Sequence, residues 1–461
     1  PDPLMLLLET CQADFAARFA ILGLKELFPD TLREVTPEWL SRLAFRPLAS
    51  AHTFLVETLE GSPEYHQGKL KSVGLHDAVL QLLVSPDKKA RKYAIEYARG
   101  HATDLSTEKL LELLGKEDDY DDTAKLAATM LQGRGARKLG IEIVGRLVQY
   151  DATSKWAKAA LDNDFEKKEI TETFLADMLL SNVEARVNWA ETYIDKKLGA
   201  ATISLAFWMR VLDDPRIEDD SESVADWVAT RIAKHIPVSA APADWVLKAL
   251  ARDDIEYEIS SWLEKADALP AGMDIERIKG LVFDPQRREI AFKLLGNKKL
   301  VSPGDVGLGW LLALARRADP TLHEWAHRYL LQHMKPENFA DGKADAEAGV
   351  ARLFSLALGA REPEAVRAFA QTFLRCHHPK IGKEQPESKQ FNIKPQVHRD
   401  EYTMDRVWPA LFDQRADVRR FAVTITRIEL RHWKAQSRVY ELAESSAKEV
   451  RKIAYDALIQ A

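Results

Sequence analysis

Across 461 residues the chain is 46% hydrophobic and 30% charged, with only 21 Gly and 20 Pro, which excludes disordered and collagen-like classes and suits a folded, helix-rich protein. A net charge of -6 argues against a surface that binds polyanions over its whole extent, and two cysteines are too few for a disulfide framework or a Cys-rich zinc site. No apolar stretch approaches the roughly 18 residues of a membrane span, so the expectation is no membrane partner and a reducing, cytoplasmic setting.

The chain opens "PDPLMLLLE" without an initiator Met; this is read as a processed or excised start, with residues missing before Pro1, and it is too short for a secretory signal. "DFAARFAILGLKELF" and, later, "DTAKLAATML" have the apolar spacing of amphipathic helices. "SPDKKARKYAIEYA" introduces a pattern: an acidic or Pro-containing turn, an Arg (Arg91), two residues, then an Ala (Ala94) in an apolar helix. The acidic "KEDDYDD" (116–122) lacks the alternating ligands and central Gly of a calcium loop and reads as a solvated turn or a dock for a basic partner. "QGRGARKLG" (132–140) matches neither phosphate-loop pattern and reads as a turn between helices. "SNVEARVNWAETYI" fits the frame loosely, with Arg186 four residues before Ala190, and "LDDPRIEDDSESVADW" (212–227) is an acidic loop leading into a helix.

The frame returns in "FDPQRREIAFKLL" (Arg288, Ala291), "REPEAVRAFAQTFL" (Arg367, Ala370), "DQRADVRRFAVTI" (Arg419, Ala422) and "SAKEVRKIAYDAL" (Arg451, Ala454). "ADPTLHEWAHRYLL" fits it with Ala326 in the alanine place and His323 where the others carry Arg. Asp or Pro starts each helix, the small Ala lets a neighbour approach, and the Arg is placed to pair with the next unit. Between units lies 377–402, with three prolines and five Lys/Arg against four Asp/Glu, expected to be an exposed basic insertion.

These stretches resemble the HEAT-repeat (armadillo-like) α-solenoids, best in the last hundred residues, with a vaguer likeness to the HEAT-like arrays of large bacterial proteins. The resemblance implies an all-α fold, a right-handed α-α superhelix of about ten helix pairs formed by residues 1–461 as one array. It further implies a non-catalytic scaffold that binds a macromolecule, a protein first, with no cofactor.

Two other classes compete with that reading. "HEWAHRYLLQHM" (323–334) contains H-E-x-x-H, the pattern in which His323 and His327 hold zinc and Glu324 activates water. The third histidine, His333, lies six residues after His327, but Leu330 stands where a helix-breaking Gly is needed, so His333 faces about 120° away. The stretch is therefore set down as a repeat helix, with a zinc peptidase as the remote alternative. Cys376-His377-His378 has the donor types for a metal or a nucleophile-base pair and is read as a helix terminus. The 11 Trp are assigned to joints between helices in preference to pockets for bases or modified peptides.

The second class is nucleic-acid binding. From Arg375 to Ala461 there are 17 Lys/Arg against 12 Asp/Glu, and basic residues recur at the frame arginine: Lys88, Lys89, Arg91 and Lys92; Arg287 and Arg288; Arg419 and Arg420; Arg451 and Lys452. With Arg427, Arg431, Lys434 and Arg438, the C-terminal pairs are candidates for a strip that follows phosphates. Salt bridges between repeats are the competing, preferred account of the same residues.

Overall fold

The computed structural model describes residues 1–217, 222–340 and 345–459, so 218–221 of the acidic segment 212–227 lie outside the described residues. Among these residues every regular element is helical, and the one extended pairing is an isolated bridge between Pro242 and Ala271. Packing divides the chain into two compact units, Pro1–Ile232 and Ala233–Ala461.

Within the first unit the chain folds as consecutive helix hairpins: Asp2–Thr10 on Asp14–Leu27, Pro37–Ala44 on Ala49–Gly61, His76–Gln81 on Lys88–His101, Thr107–Leu114 on Asp121–Arg134, Ile141–Leu147 on Asp151–Asn163, and Glu172–Leu179 on Glu184–Tyr193. The second helix of each hairpin also packs on the second helix of a neighbouring hairpin, as in Ala49–Gly61 on Lys88–His101 and Lys88–His101 on Asp121–Arg134.

The second unit repeats the plan. Ala243–Ala249 pairs with Glu256–Glu264, Ile275–Leu281 with Arg288–Gly296, Leu308–Ala315 with Pro320–His333, Ala346–Leu358 with Glu364–His377, and Val439–Ala443 with Lys448–Ile459. Between the last two, the 3-10 turn Trp408–Phe412 packs on Ala416–Glu429. Each unit is therefore an array whose elements meet near neighbours in sequence.

Local chemistry accounts for the breaks. Side chains of Asp87, Ser106, Thr171, Ser204, Asp274 and Thr403 each accept from a backbone N–H in the first turn that follows, satisfying donors that a helix start leaves open. In "GRGARKLG", Gly135 and Gly140 take φ of 82° and 85°, a backbone that favours glycine, and they bracket the single turn Ala136–Leu139. The frame alanines Ala94, Ala291, Ala326, Ala370 and Ala422 are fully buried, where a larger side chain would hold two helices apart.

Candidate functional site

The frame arginine does the same work at four of its recurrences. Arg91 donates from Nη1 to the carbonyl of Ser85, 2.8 Å away in its own preceding turn, and from Nε to both oxygens of Asp122 at 2.9 and 3.1 Å in the next hairpin. Arg288 reaches the Val282 carbonyl at 3.0 Å and Asp319 at 3.0 Å. Arg367 takes the Glu362 carbonyl at 2.6 Å and Asp417 at 2.7 Å. Arg419 takes the Asp413 carbonyl at 2.9 Å and Glu449 at 3.3 Å. One guanidinium fork thus satisfies a turn carbonyl and ties it to the first turn of the following second helix, a task suited to its planar array of donors.

His323 occupies the same place and does the first half of the job. Its Nδ1 lies 3.1 Å from the Arg317 carbonyl, six residues back like the carbonyls that Arg91, Arg288 and Arg419 reach. A carbonyl only accepts, so Nδ1 carries the proton in this bond. His327, one turn on, stacks on His323 with ring centroids 5.5 Å apart and on Phe369 of the next hairpin at 5.5 Å. Burial, reinforced by His323, brings the His327 pKa down to about 4. His333 packs edge-on against Tyr329 at 4.5 Å, and burial, followed by Lys298, lowers its pKa to about 4. Glu324 is exposed. Among the described residues, no three His, Cys, Asp or Glu side chains gather where they could hold a metal ion.

Several of the other candidate cations lie beside carboxylates. Lys89 reaches Glu60 at 3.6 Å, Lys92 lies 4.0 Å from Glu96, Arg287 is 3.7 Å from Asp284, Arg427 is 4.0 Å from Asp456, and Arg438 is 2.8 Å from Glu441. Arg451 donates to the carbonyls of Ser445 and Ser446, both at 2.7 Å. Lys88, Arg420, Arg431, Lys434 and Lys452 are exposed. The sequence groups all of these as one ridge; in the structure Arg91, Arg288, Arg367 and Arg419 turn inward to neighbouring elements, while Arg451 faces water together with Lys88, Lys89, Lys92, Arg420 and Lys452.

Cys376, His377 and His378 end the helix Glu364–His377 and are all buried. The 377–402 segment folds over them: the Val397 N–H donates to the His377 carbonyl at 3.2 Å, and the Tyr402 hydroxyl to the Leu374 carbonyl at 2.5 Å. Behind them sits Glu429, fully buried, with Oε2 at 2.6 Å from Arg399 Nε and Oε1 at 3.3 Å from His378 Nε2, the latter outside hydrogen-bond alignment. His377 stacks on Phe373 at 4.3 Å, and neither ring nitrogen has a partner. Burial takes both His377 and His378 down to about pKa 4 and raises the Cys376 thiol, so at neutral pH this cluster holds a neutral thiol and neutral imidazoles.

Two features are only partly marked in the sequence. Phe292 lies parallel to Trp325 of the next hairpin at 4.4 Å, with Trp310 edge-on to Trp325 at 6.3 Å; here tryptophan does fill a joint. In the first unit a groove of about 1190 Å³ is lined by Arg146, Asp177, Arg186, Asn188, Glu191 and Arg216, among others. Arg186, displaced by one position from the frame, meets Met178 Sδ at 3.4 Å in place of a turn carbonyl. The irregular spacing of "EARVNWA" is the one sequence signal that marked it.

No family model and no curated protein matches the chain. Two solved structures align over nearly its full length: an engineered protein, at 16% identity over 99% of this chain and 98% of that one, and a structure from work on the phosphorylation switch that controls the interaction between cadherin and β-catenin, at 14% identity over 99% and 90%. Both have a TM-score of 0.22, and a likeness that loose carries no argument. What stands is the chain's own architecture: an all-helical fold of successive hairpins, with no helix, among the described residues, long and apolar enough to cross a membrane.

Proposed function

We propose that this protein is a non-catalytic cytoplasmic scaffold, a right-handed α-α superhelix of about ten HEAT-like helix pairs that holds a partner protein against its surface. The observation that carries this reading is the recurring clamp. Arg91, Arg288, Arg367 and Arg419 each tie a turn carbonyl to the next hairpin, and His323 keeps the carbonyl bond in its own hairpin. Charged residues that sequence offers as a chemical site are spent on setting the angle between hairpins, which supports a function of shape over one of chemistry.

Recovery of tagged protein from native extract, with and without nuclease, followed by mass spectrometry and metal analysis, tests the reading. A nuclease-resistant protein partner is the expected result. Nuclease-sensitive recovery, lost when Arg420, Lys434 and Lys452 are changed to Glu, would replace it with nucleic-acid binding. One zinc per chain, lost in His323→Ala, would replace it with the peptidase.

A further inference from the structure

The displaced arginine of the frame is left without the partners that the others have. Arg91, Arg288, Arg367 and Arg419 each hold a turn carbonyl and a carboxylate. Arg186 holds neither: its Nε meets Met178 Sδ at 3.4 Å, and among the described residues it pairs with no carboxylate. A thioether is a weak acceptor for a group with five N–H donors. The side chain is nonetheless half-buried, and burying a charge costs free energy unless it is paired.

The groove that Arg186 lines supplies a second guanidinium. Arg146, from Ile141–Leu147, lines it too and likewise pairs with no carboxylate among the described residues. Burial pushes the Arg186 pKa down; Asp177 opposes this, Arg146 adds to it and Glu142 opposes it. Arg216, the third arginine of the lining, is neutralised by Asp214 at 2.9 Å and lies 3.6 Å from Asp177. Two neighbouring guanidiniums without strong acceptors call for an oxyanion that can take bonds from both planar forks. Glu142, Glu184 and Glu191 line the same groove, and among the described residues none of them forms an ion pair. They would repel a polyanion, so the ligand that fits carries a single carboxylate with cationic donors beside it.

We infer that this groove binds a zwitterionic ligand of amino-acid or short-peptide chemistry, whose carboxylate bridges Arg146 and Arg186 and whose cationic groups meet the glutamates. A carboxylate is the acceptor that Arg91, Arg288, Arg367 and Arg419 take from the following hairpin, so the ligand completes for Arg186 what the chain itself completes for them. The groove, at about 1190 Å³, is larger than the roughly 300–1,000 Å³ of small-molecule pockets and has room for several linked residues. The inference goes beyond the scaffold reading and does not depend on it, since the clamps at the other joints stand whether or not this groove is filled.

The test uses the whole protein with its methionine methyl groups isotope-labelled for NMR, because Met178 touches the Arg186 guanidinium and reports on it; Met178→Leu assigns the signal. The probe is the tripeptide acetyl-Arg-Glu-Arg-amide, compared with acetyl-Arg-Gln-Arg-amide and with inorganic phosphate. Expected are a saturable shift of the Met178 methyl signal with the Glu peptide, and a loss of about tenfold or more in affinity when the peptide carries Gln or the protein carries Arg146→Gln or Arg186→Gln. The ligand-free Arg186→Gln protein should unfold in urea at the parent midpoint or above it, since the substitution removes a half-buried charge that has no ion pair to lose. Absence of a saturable shift, equal binding of the Gln peptide, or phosphate bound as tightly as the Glu peptide overturns the inference. So does a lowered midpoint in ligand-free Arg186→Gln, which would make Arg186 a structural residue.

Discussion

At the scale of single residues, the frame arginine is a joint and not a surface charge. The Arg91 side chain is 12% exposed while it serves both Ser85 and Asp122, so Arg91→Ala leaves a carboxylate and a turn carbonyl without their donor. A loss of about 1–3 kcal/mol is expected, read as a shift in the midpoint of urea unfolding; Arg91→Lys should recover little of it, because one ammonium cannot serve two directions as a planar fork does. The histidine at 323 gives the complementary test. His323→Arg restores the residue that the other hairpins use, and the expected outcome is unchanged or higher stability. If the substitution instead abolishes a peptidase activity, the zinc reading returns.

Buried imidazoles set an acid limit on the fold at the same scale. His377 is 2% exposed, and its pKa falls from an ordinary 6.5 to about 4 on folding. A depressed folded pKa means that the unfolded chain binds the proton first. Stability is therefore full above pH 6.5 and declines as pH falls from 6.5 toward 4, by at most about 1.4 kcal/mol per pH unit for this group. His377→Phe keeps the stack on Phe373 and removes the titrating group; unfolding midpoints at pH 7 and pH 5 should then lie closer together than in the parent. An unchanged gap would assign the acid sensitivity to the other buried imidazoles, His52, His327, His333 and His378.

At the scale of elements, 377–402 is a docked strap, not a loose loop. It contains a 3-10 turn at Gly382–Glu384 and a helix at Pro386–Phe391, with Asn392 taking φ of 52° at its end. At Gly382 a Cβ would collide with the Cys376 carbonyl, and backbone cannot move aside as a flexible side chain does. Gly382→Ala should loosen the strap and admit protease between 378 and 402 at native conditions, an outcome limited proteolysis reads directly. The sequence shows that a break occurs here because its prolines interrupt the apolar period; it does not show what the strap covers. His378, Arg399 and Glu429 come together from positions 21 and 30 residues apart, and no periodicity links such distances. The frame arginine was legible for the opposite reason: its turn carbonyl is five or six residues away, so the bond and the pattern share one short window. Arg186 shows the limit of that window, since a shift of one position rotates a helical side chain by about 100° and sends it to Met178 and the groove.

For the molecule as a whole, hairpins that touch mainly their neighbours make stability a local quantity. A substitution should then be felt most strongly in the hairpins on either side of the broken joint. Arg419 decides this cleanly, because its bonds run to its own turn at Asp413 and Gln414 and onward to Glu449, while Ala416–Glu429 also packs on Glu364–His377. In Arg419→Ala, amide exchange should accelerate in Lys448–Ile459, which has no further described hairpin behind it, and to a lesser degree in Ala416–Glu429. The helices of Pro1–Ile232 should exchange at parent rates. Uniform acceleration across all 461 residues would mean that the chain unfolds as one cooperative body, and the joint would then measure global stability instead of the hold between two hairpins.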